Sequence, residues 1–337
     1  MDSLSNSMIP PSENNDVLQQ QRSSRNTKNK NKRIRSTKES INAEETYEGE
    51  VKNSSSWIKS GFLARGAYGS VYIATRKGDK EEKKMAIKEA EISHASSLMH
   101  ENKILSRLVS PFVVRCYGHE IAREETLFGG ERTNYNLILE YCSGQSLTHL
   151  IKKKGGGLWE KDVKSFAKDI LLGLQYIHRE NIIHCDVKPD NIFLIPVDNQ
   201  TKPNGFVTKI GDFGVALEKG SVEYGDGSGH DERGTTRYMA PELISHGIVD
   251  YSVDTWAFGC TVLEMFTGQE PWEEHIDLND SVDWVSLIGQ SCFVPYIPDW
   301  LSEEAQDFLK RCLVREAGER WGIGALMNHP FLNLDVE

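Results

Sequence analysis

Nothing constrains this chain more than the run Ile183-His184-Cys185-Asp186-Val187-Lys188-Pro189-Asp190-Asn191. Asp186, Lys188 and Asn191 put a carboxylate, an ammonium and an amide oxygen within one short loop. Such a set can accept a hydroxyl proton, neutralise a phosphoryl group and hold a divalent cation. Downstream, Lys209-Ile210-Gly211-Asp212-Phe213-Gly214 adds a second cation-binding carboxylate beside backbone freed by glycine. Gly234-Thr235-Thr236-Arg237-Tyr238-Met239-Ala240-Pro241-Glu242 closes the series.

Two further pieces lie upstream. The strand-like pair Phe62-Leu63 runs into Ala64-Arg65-Gly66-Ala67-Tyr68-Gly69-Ser70-Val71, where glycines let backbone amides approach phosphate oxygens. Taken alone, that turn is as well explained by a plain hairpin. Lys88 ends the apolar stretch Met85-Ala86-Ile87 and wants an anionic partner, which Glu101 on the next helical stretch can supply. Two solvated surface charges are the alternative for that pair. Any single piece is compatible with an ordinary loop, but all five in this order and spacing are not.

Around these motifs the texture changes twice. Residues 1–56 hold 11 apolar residues, too few to offset the entropy of ordering, and read as a disordered tail. Within the tail, 22–38 carries eight Lys and Arg and no acid, whereas 39–50 carries five Glu. That tract is either an import or anionic-surface patch or a solvated basic run. From Trp57, short strand-like runs dominate (Val71–Ala74, Met85–Lys88, Val113-Val114, Asn136–Tyr141), with a helix expected over 94–108. After Gly144 helices take over, at 160–180, 252–267, 302–313 and 323–329. Residues 120–135 and 195–206 read as polar surface loops. The expected fold class is α+β, a strand-rich lobe of about 57–142 and a helical lobe of about 143–332 sharing a cleft, with a short tail at 333–337.

Composition narrows the function classes. A net charge of −11 argues against a surface devoted to nucleic acid, and the basic tract lacks the interleaved aromatics of a strand-binding module. No run approaches the ~18–20 apolar residues of a membrane span. The six cysteines are dispersed with no C-x-x-C pair, so free thiols in a reducing compartment are expected rather than zinc or disulfides.

On these motifs, 57–332 resembles a eukaryotic protein kinase, which implies the bilobal protein kinase fold, ATP and Mg2+. The resemblance implies that Leu63, Ala64, Gly66, Gly69 and Val71 cover the ATP phosphates and that Lys88, paired with Glu101, holds the α- and β-phosphates. It implies that Asp186 takes the substrate proton, that Lys188 steadies the γ-phosphate and that Asn191 and Asp212 bind magnesium. Leu139 becomes the gatekeeper; Glu140 and Cys142 offer backbone hydrogen bonds to adenine, and Val71, Ala86 and Phe193 sandwich the purine. Glu242 pairs with Arg320, and Asp254 braces the catalytic loop. Lys188 and Gly234-Thr235 match serine/threonine kinases. His184-Cys185-Asp186, Asp254–Cys260 and Glu319-Arg320-Trp321 before Asn328–Leu332 resemble plant mitogen-activated protein kinase kinase kinases of the short MEKK-like group.

That closer resemblance implies a protein substrate, a MAP kinase kinase. The expected location is cytoplasmic, and nuclear as well if the basic tract is an import signal. A serine/threonine kinase of another pathway (Ste20-like or calcium-linked) and a pseudokinase scaffold are the competing readings; oligomeric state is left open. Two departures stand out. Ala64 replaces the first loop glycine, costing about 1 kcal/mol if that site needs a positive φ. Cys185 replaces the arginine that precedes the catalytic aspartate in the family, and a neutral thiol cannot clasp a phosphorylated loop residue. A redox-sensing role for that thiol is the alternative to a small buried side chain. Ser221, Tyr224, Ser228, Thr235 and Thr236 are candidate acceptors, with Thr235 the best suited to a structural hydrogen bond.

Overall fold

Six strands build the first lobe: β1 (Val51–Lys52), β2 (Trp57–Gly66), β3 (Gly69–Arg76), β4 (Met85–Glu91), β5 (Cys116–Glu125) and β6 (Glu131–Glu140). Their order across the sheet is β1-β5-β6-β4-β3-β2, antiparallel except for the parallel β1–β5 pair. In this computed structural model the described residues are 51–66, 69–125, 129–202, 204–221, 234–276 and 282–333. Helix α1 (Ser96–Leu105) is the only α-helix between β4 and β5, and it buries Leu98, Glu101, Ile104 and Leu105. A 3-10 turn at Ile92–His94 precedes it, so the helix expected over 94–108 is shorter at both ends.

The second lobe is helical. It comprises α2 (Leu147–Lys154), α3 (Glu160–Arg179), the short strands β7 (Ile182–Ile183), β8 (Ile192–Pro196), β9 (Phe206–Ile210) and β10 (Leu217–Glu218), then α4 (Pro241–His246), α5 (Tyr251–Thr267), α6 (Trp284–Gln290), α7 (Glu303–Cys312) and α8 (Ile323–Leu326). The apolar stripe of α3 (Val163, Phe166, Ile170, Leu174 and Ile177) is buried, as its three-and-four spacing predicts. Acids in its first turn and His178 and Arg179 in its last complement the helix dipole. Helix α5 is buried on every side from Val253 to Phe266, which makes it the axis of the lobe. No helix among the described residues is long and apolar enough to cross a membrane.

Three segments differ from expectation. Residues 120–135 are mostly not a loop: β5 and β6 form a long hairpin paired from Cys116↔Leu139 to Glu125↔Glu131, with one register shift between Cys116 and Gly118. Its acidic side chains are satisfied by ion pairs, the half-buried Glu124 with Lys59 at 3.0 Å and the buried Glu120 with Lys52 at 2.8 Å. The ordered region also begins before Trp57. Val51 and Lys52 pair with Ile121 and Ala122, and Glu120 accepts from Lys52 Nζ, Ser55 Oγ and the Ser56 N–H. The end of the supposed tail therefore belongs to the sheet. The 195–206 stretch is a loop only between β8 and β9, where Lys202 reaches the buried Asp169 at 2.6 Å. The basic tract 22–38, the loop tip 67–68 and the acceptors Tyr224 and Ser228 lie outside the described residues.

Candidate active site

The site grows from strand register. Val71 on β3 lies opposite Lys88 on β4, which also lies opposite Leu137 on β6; Ala86, two residues earlier, faces Leu139. Residues directly opposite one another, and residues two apart, share a sheet face. Val71, Ala86, Lys88 and Leu139 therefore line one surface beneath the sheet. The Lys88 ammonium is 2.7 Å from Glu101 Oε2 on α1 and 2.8 Å from Asp212 Oδ1 in the second lobe. Burial works against its charge, but the Glu101 and Asp212 carboxylates overcome that and hold it above the usual lysine range. Asp212 is held below the usual carboxylate range, the ammonium outweighing burial. For Glu101, fully buried, desolvation pushes upward against Lys88, and its second oxygen accepts the Phe213 N–H at 3.2 Å.

The loop after β7 forms the opposite wall. Cys185 and Asp212 both adopt left-handed backbone, with φ of 64° and 60°, a strain of about 1–3 kcal/mol each in L residues. Asp254, buried in the first turn of α5, supports the first by accepting the N–H of His184 and of Cys185 at 2.9 Å each, and His178 Nε2 at 2.8 Å. That turn presents Asp186, whose Oδ1 accepts the Thr235 N–H at 2.9 Å and its hydroxyl at 3.1 Å. Oδ2 of Asp186 faces Lys188 Nζ and Asn191 Nδ2, both at 2.9 Å, and Lys188 also reaches the Thr235 hydroxyl. With its nitrogen spent on Asp186, the Asn191 amide has its oxygen left for another group.

Hydrogen bonds tie the Asp212 segment to this loop. The Gly211 N–H donates to Asn191 O at 2.9 Å, and His184 Nε2 donates to Gly211 O at 3.0 Å, with Phe213 edge-on to the imidazole at 4.7 Å. Lys88, Asp212 and the loop carrying Asp186 and Asn191, remote from one another in sequence, thus form one continuous cluster. Two carboxylates, each ion-paired with a lysine, and an amide oxygen make a donor set for a divalent cation with phosphate oxygens. The described residues contain no group of three or more His, Cys, Asp or Glu suited to a metal, and a cation held by Asn191 and Asp212 would need further ligands such as phosphate and water.

The remaining predicted residues are placed as follows. Phe193 on β8 lies against Gly211, where a Cβ would come within 2.8 Å of its ring. The Glu140 N–H is occupied by Arg115 O at 2.8 Å and its carboxylate by Lys209 at 3.1 Å, whereas no described residue accepts the Cys142 N–H. Leu63 is exposed at a register shift in β2. Ala64 pairs with Val71 and has no positive φ, so the expected backbone cost is absent. The residue that does need glycine is Gly69, at φ 147°, where a Cβ would lie 2.2 Å from Glu89 O. Glu242 and Arg320 form a bidentate pair at 2.6 and 3.0 Å. The Cys185 thiol is buried and turned toward Ile183 O at 3.7 Å, which favours the packed over the redox-sensing reading.

Sequence reasoning missed the hydrogen bond from His184 to Gly211 and the α1 contacts to Gly214 and Ala216. It also missed Glu264, buried under Tyr238, whose hydroxyl donates to it. Burial, with Glu270 and Asp190 nearby, pushes the Glu264 carboxyl up to about 7. No local motif marks any of these.

A family profile described as the protein kinase domain matches residues 57–332. The chain is 38% identical over 283 residues to mitogen-activated protein kinase kinase kinase 17 of Arabidopsis thaliana, covering 83% of this chain and 71% of that protein. Mitogen-activated protein kinase kinase kinase 18 of the same plant is 39% identical over 279 residues (82% and 77%), and kinase kinase kinase 20 is 34% identical over 288 (83% and 79%).

Proposed function

The chain belongs to the protein kinase family, among relatives of the plant mitogen-activated protein kinase kinase kinases, and on that premise we propose that it phosphorylates serine or threonine of a MAP kinase kinase. As a protein kinase it uses ATP and a divalent cation on protein substrates; we take the cation to be Mg2+. The observation that carries the reading is Lys88 bridging Glu101 and Asp212 across the two lobes.

In this reading Lys88 orients the α- and β-phosphates, and Glu101 keeps its ammonium in place. Asn191 and Asp212 hold the cation, which when bound neutralises charge on the transferring phosphate. Asp186 aligns the substrate hydroxyl with the γ-phosphorus and accepts its proton, while Lys188 steadies the γ-phosphate. Gly66, Gly69 and Val71 with Leu63 and Ala64 cover the phosphates; Val71, Ala86 and Phe193 enclose the adenine, and the Cys142 N–H and the Glu140 carbonyl meet its edge. A scaffold without catalysis is disfavoured because Lys88, Glu101, Asp186, Asn191 and Asp212 are all present and clustered.

Incubation of the full chain with ATP, Mg2+ and a panel of catalytically inactive MAP kinase kinases, followed by mapping of labelled residues, tests the substrate. Labelled serine or threonine in a panel member supports it. A panel left unlabelled by a protein that labels a general serine/threonine substrate removes the substrate and keeps the enzyme class.

A further inference from the structure

The kinase resemblance implies an arginine at position 185 that would clasp a phosphorylated residue of the segment after Asp212; here it is a thiol turned back to its own strand. That segment is nonetheless tied down by hydrogen bonds that need no cation from position 185. On the α1 side, Ser97 Oγ donates to Gly214 O at 3.2 Å, and His100 Nε2 lies 2.6 Å from Ala216 O. A carbonyl only accepts, so Nε2 carries the proton. On the other side, Leu217 and Glu218 pair with Ile183 and Ile182, and the Lys219 N–H donates to Asn181 O at 2.8 Å. The pair of Arg107 with Glu218 at 3.1 Å is exposed on both partners and adds little.

Ser97 and His100 share a helix with Glu101, which holds both Lys88 and the Phe213 N–H. Helix α1 therefore grips the stretch 213–216 at three successive points, starting one residue after the left-handed Asp212. We propose that Ser97 and His100 are positioning residues for phosphoryl transfer: by fixing the Gly214 and Ala216 carbonyls they hold the Asp212 carboxylate at its cation-binding position without a cationic clasp from residue 185. This rests on the phosphotransferase reading above. The geometric reason is that Asp212 lies in strained backbone. Strained backbone keeps its geometry only when its neighbours over-determine it. The two α1 side chains supply that constraint from one direction and the β7–β10 pair from the other. Loss of the α1 bonds lets the segment relax toward ordinary backbone, which moves the carboxylate rather than unfolding the lobe.

The test uses the full chain and the variants His100→Ala, His100→Gln and Ser97→Ala, with His94→Ala on the exposed turn before α1 as control. Three readouts are taken: transfer rate, the half-saturating Mg2+ concentration, and amide hydrogen exchange of 214–219 without nucleotide. His100→Ala is expected to lower kcat about tenfold and to raise the Mg2+ requirement by a similar factor, since sub-ångström misplacement of a reacting group costs that much. Exchange across 214–219 accelerates, while the melting temperature stays near the parent's. His100→Gln, whose amide can still donate, recovers most of the loss; Ser97→Ala shows the same pattern more weakly, and His94→Ala none. The proposal is overturned if His100→Ala and Ser97→Ala keep the parent's Mg2+ dependence and exchange, or if His100→Gln is as impaired as His100→Ala. If the parent itself transfers no phosphate, the phosphotransferase reading fails, and exchange at 214–219 still decides whether α1 holds the segment.

Discussion

Glu101 Oε2 lies 2.7 Å from Lys88 Nζ although one residue is on α1 and the other on β4, and the pair shares its ammonium with Asp212. The arrangement makes α1 part of the site and not only part of the core. Glu101→Gln leaves Lys88 to swing fully onto Asp212, spending the carboxylate that the cation needs. Transfer is expected to fall about 10- to 100-fold, as expected for a misplaced reactive group. The loss should appear in kcat more than in the KM for ATP, and steady-state kinetics at saturating and limiting ATP checks it.

The two loop glycines are not equivalent. A Cβ on Gly66 meets nothing within 4 Å, whereas on Gly69 it strikes the Glu89 carbonyl in a positive-φ backbone. Gly69→Ala is expected to lose about 3 kcal/mol of stability from strain and overlap together, and Gly66→Ala no more than about 1 kcal/mol. Ala64→Gly should be slightly destabilising, because Ala64 is a strand residue paired with Val71. Denaturant unfolding of the three variants checks the order.

Glu264 supplies a pH signature. Its carboxyl titrates near 7 in the folded chain against an ordinary 4.5, chiefly because it is buried. The folded state holds that proton more tightly, so the contribution is fully present below about pH 4.5 and is lost as pH rises to about 7. At 1.36 kcal/mol per pH unit the loss is on the order of 3 kcal/mol. Glu264→Gln mimics the protonated form and can still accept from Tyr238. Its melting temperature should match the parent's at pH 5 and exceed it by several degrees at pH 8; comparing the pair across pH removes the titrations they share.

The strap before Trp57 is structural. Deleting residues 1–50 leaves the bonds to Glu120 intact, whereas deleting 1–56 removes Lys52, Ser55 and Ser56, its three donors there. The longer deletion should cost about 2 kcal/mol, the scale for leaving a hydrogen-bonded charge unsatisfied, and lower the melting temperature by several degrees. Lys52 and the two serines hold the Glu120 carboxyl below its usual range against the effect of burial. The strap's contribution is therefore present above about pH 4.5 and lost as pH falls below it.

The site was legible because its chemistry is local in sequence. Asp186, Lys188 and Asn191 fall within six residues and Asp212 follows a glycine, so residue type and spacing alone define a phosphate and cation cluster. Lys88 and Glu101 needed one inference, that a lysine ending an apolar strand seeks an acid. What escaped is polar structure satisfied at a distance. Glu120 and Glu124 made β5 look like a loop, because their partners Lys52 and Lys59 are over sixty residues away. The Ala64 expectation failed because β2 resumes pairing at Ala64, opposite Val71, after the register shift at Leu63, which residue identity does not reveal. Ser97 and His100 carry no motif; only the fold brings them to Gly214 and Ala216.

The central claim is that this cluster transfers phosphate through Asp186, and Mg2+-dependent incorporation of label from γ-labelled ATP into a MAP kinase kinase, parent against Asp186→Asn, tests it most directly. The Asn side-chain oxygen can still accept from the Thr235 N–H, so the variant should fold with a near-parent melting temperature. Its transfer rate should fall about 10²- to 10⁴-fold, the share that proton acceptance contributes. A parent with no Mg2+-dependent transfer to any protein, or an Asp186→Asn variant as fast as the parent, contradicts the account.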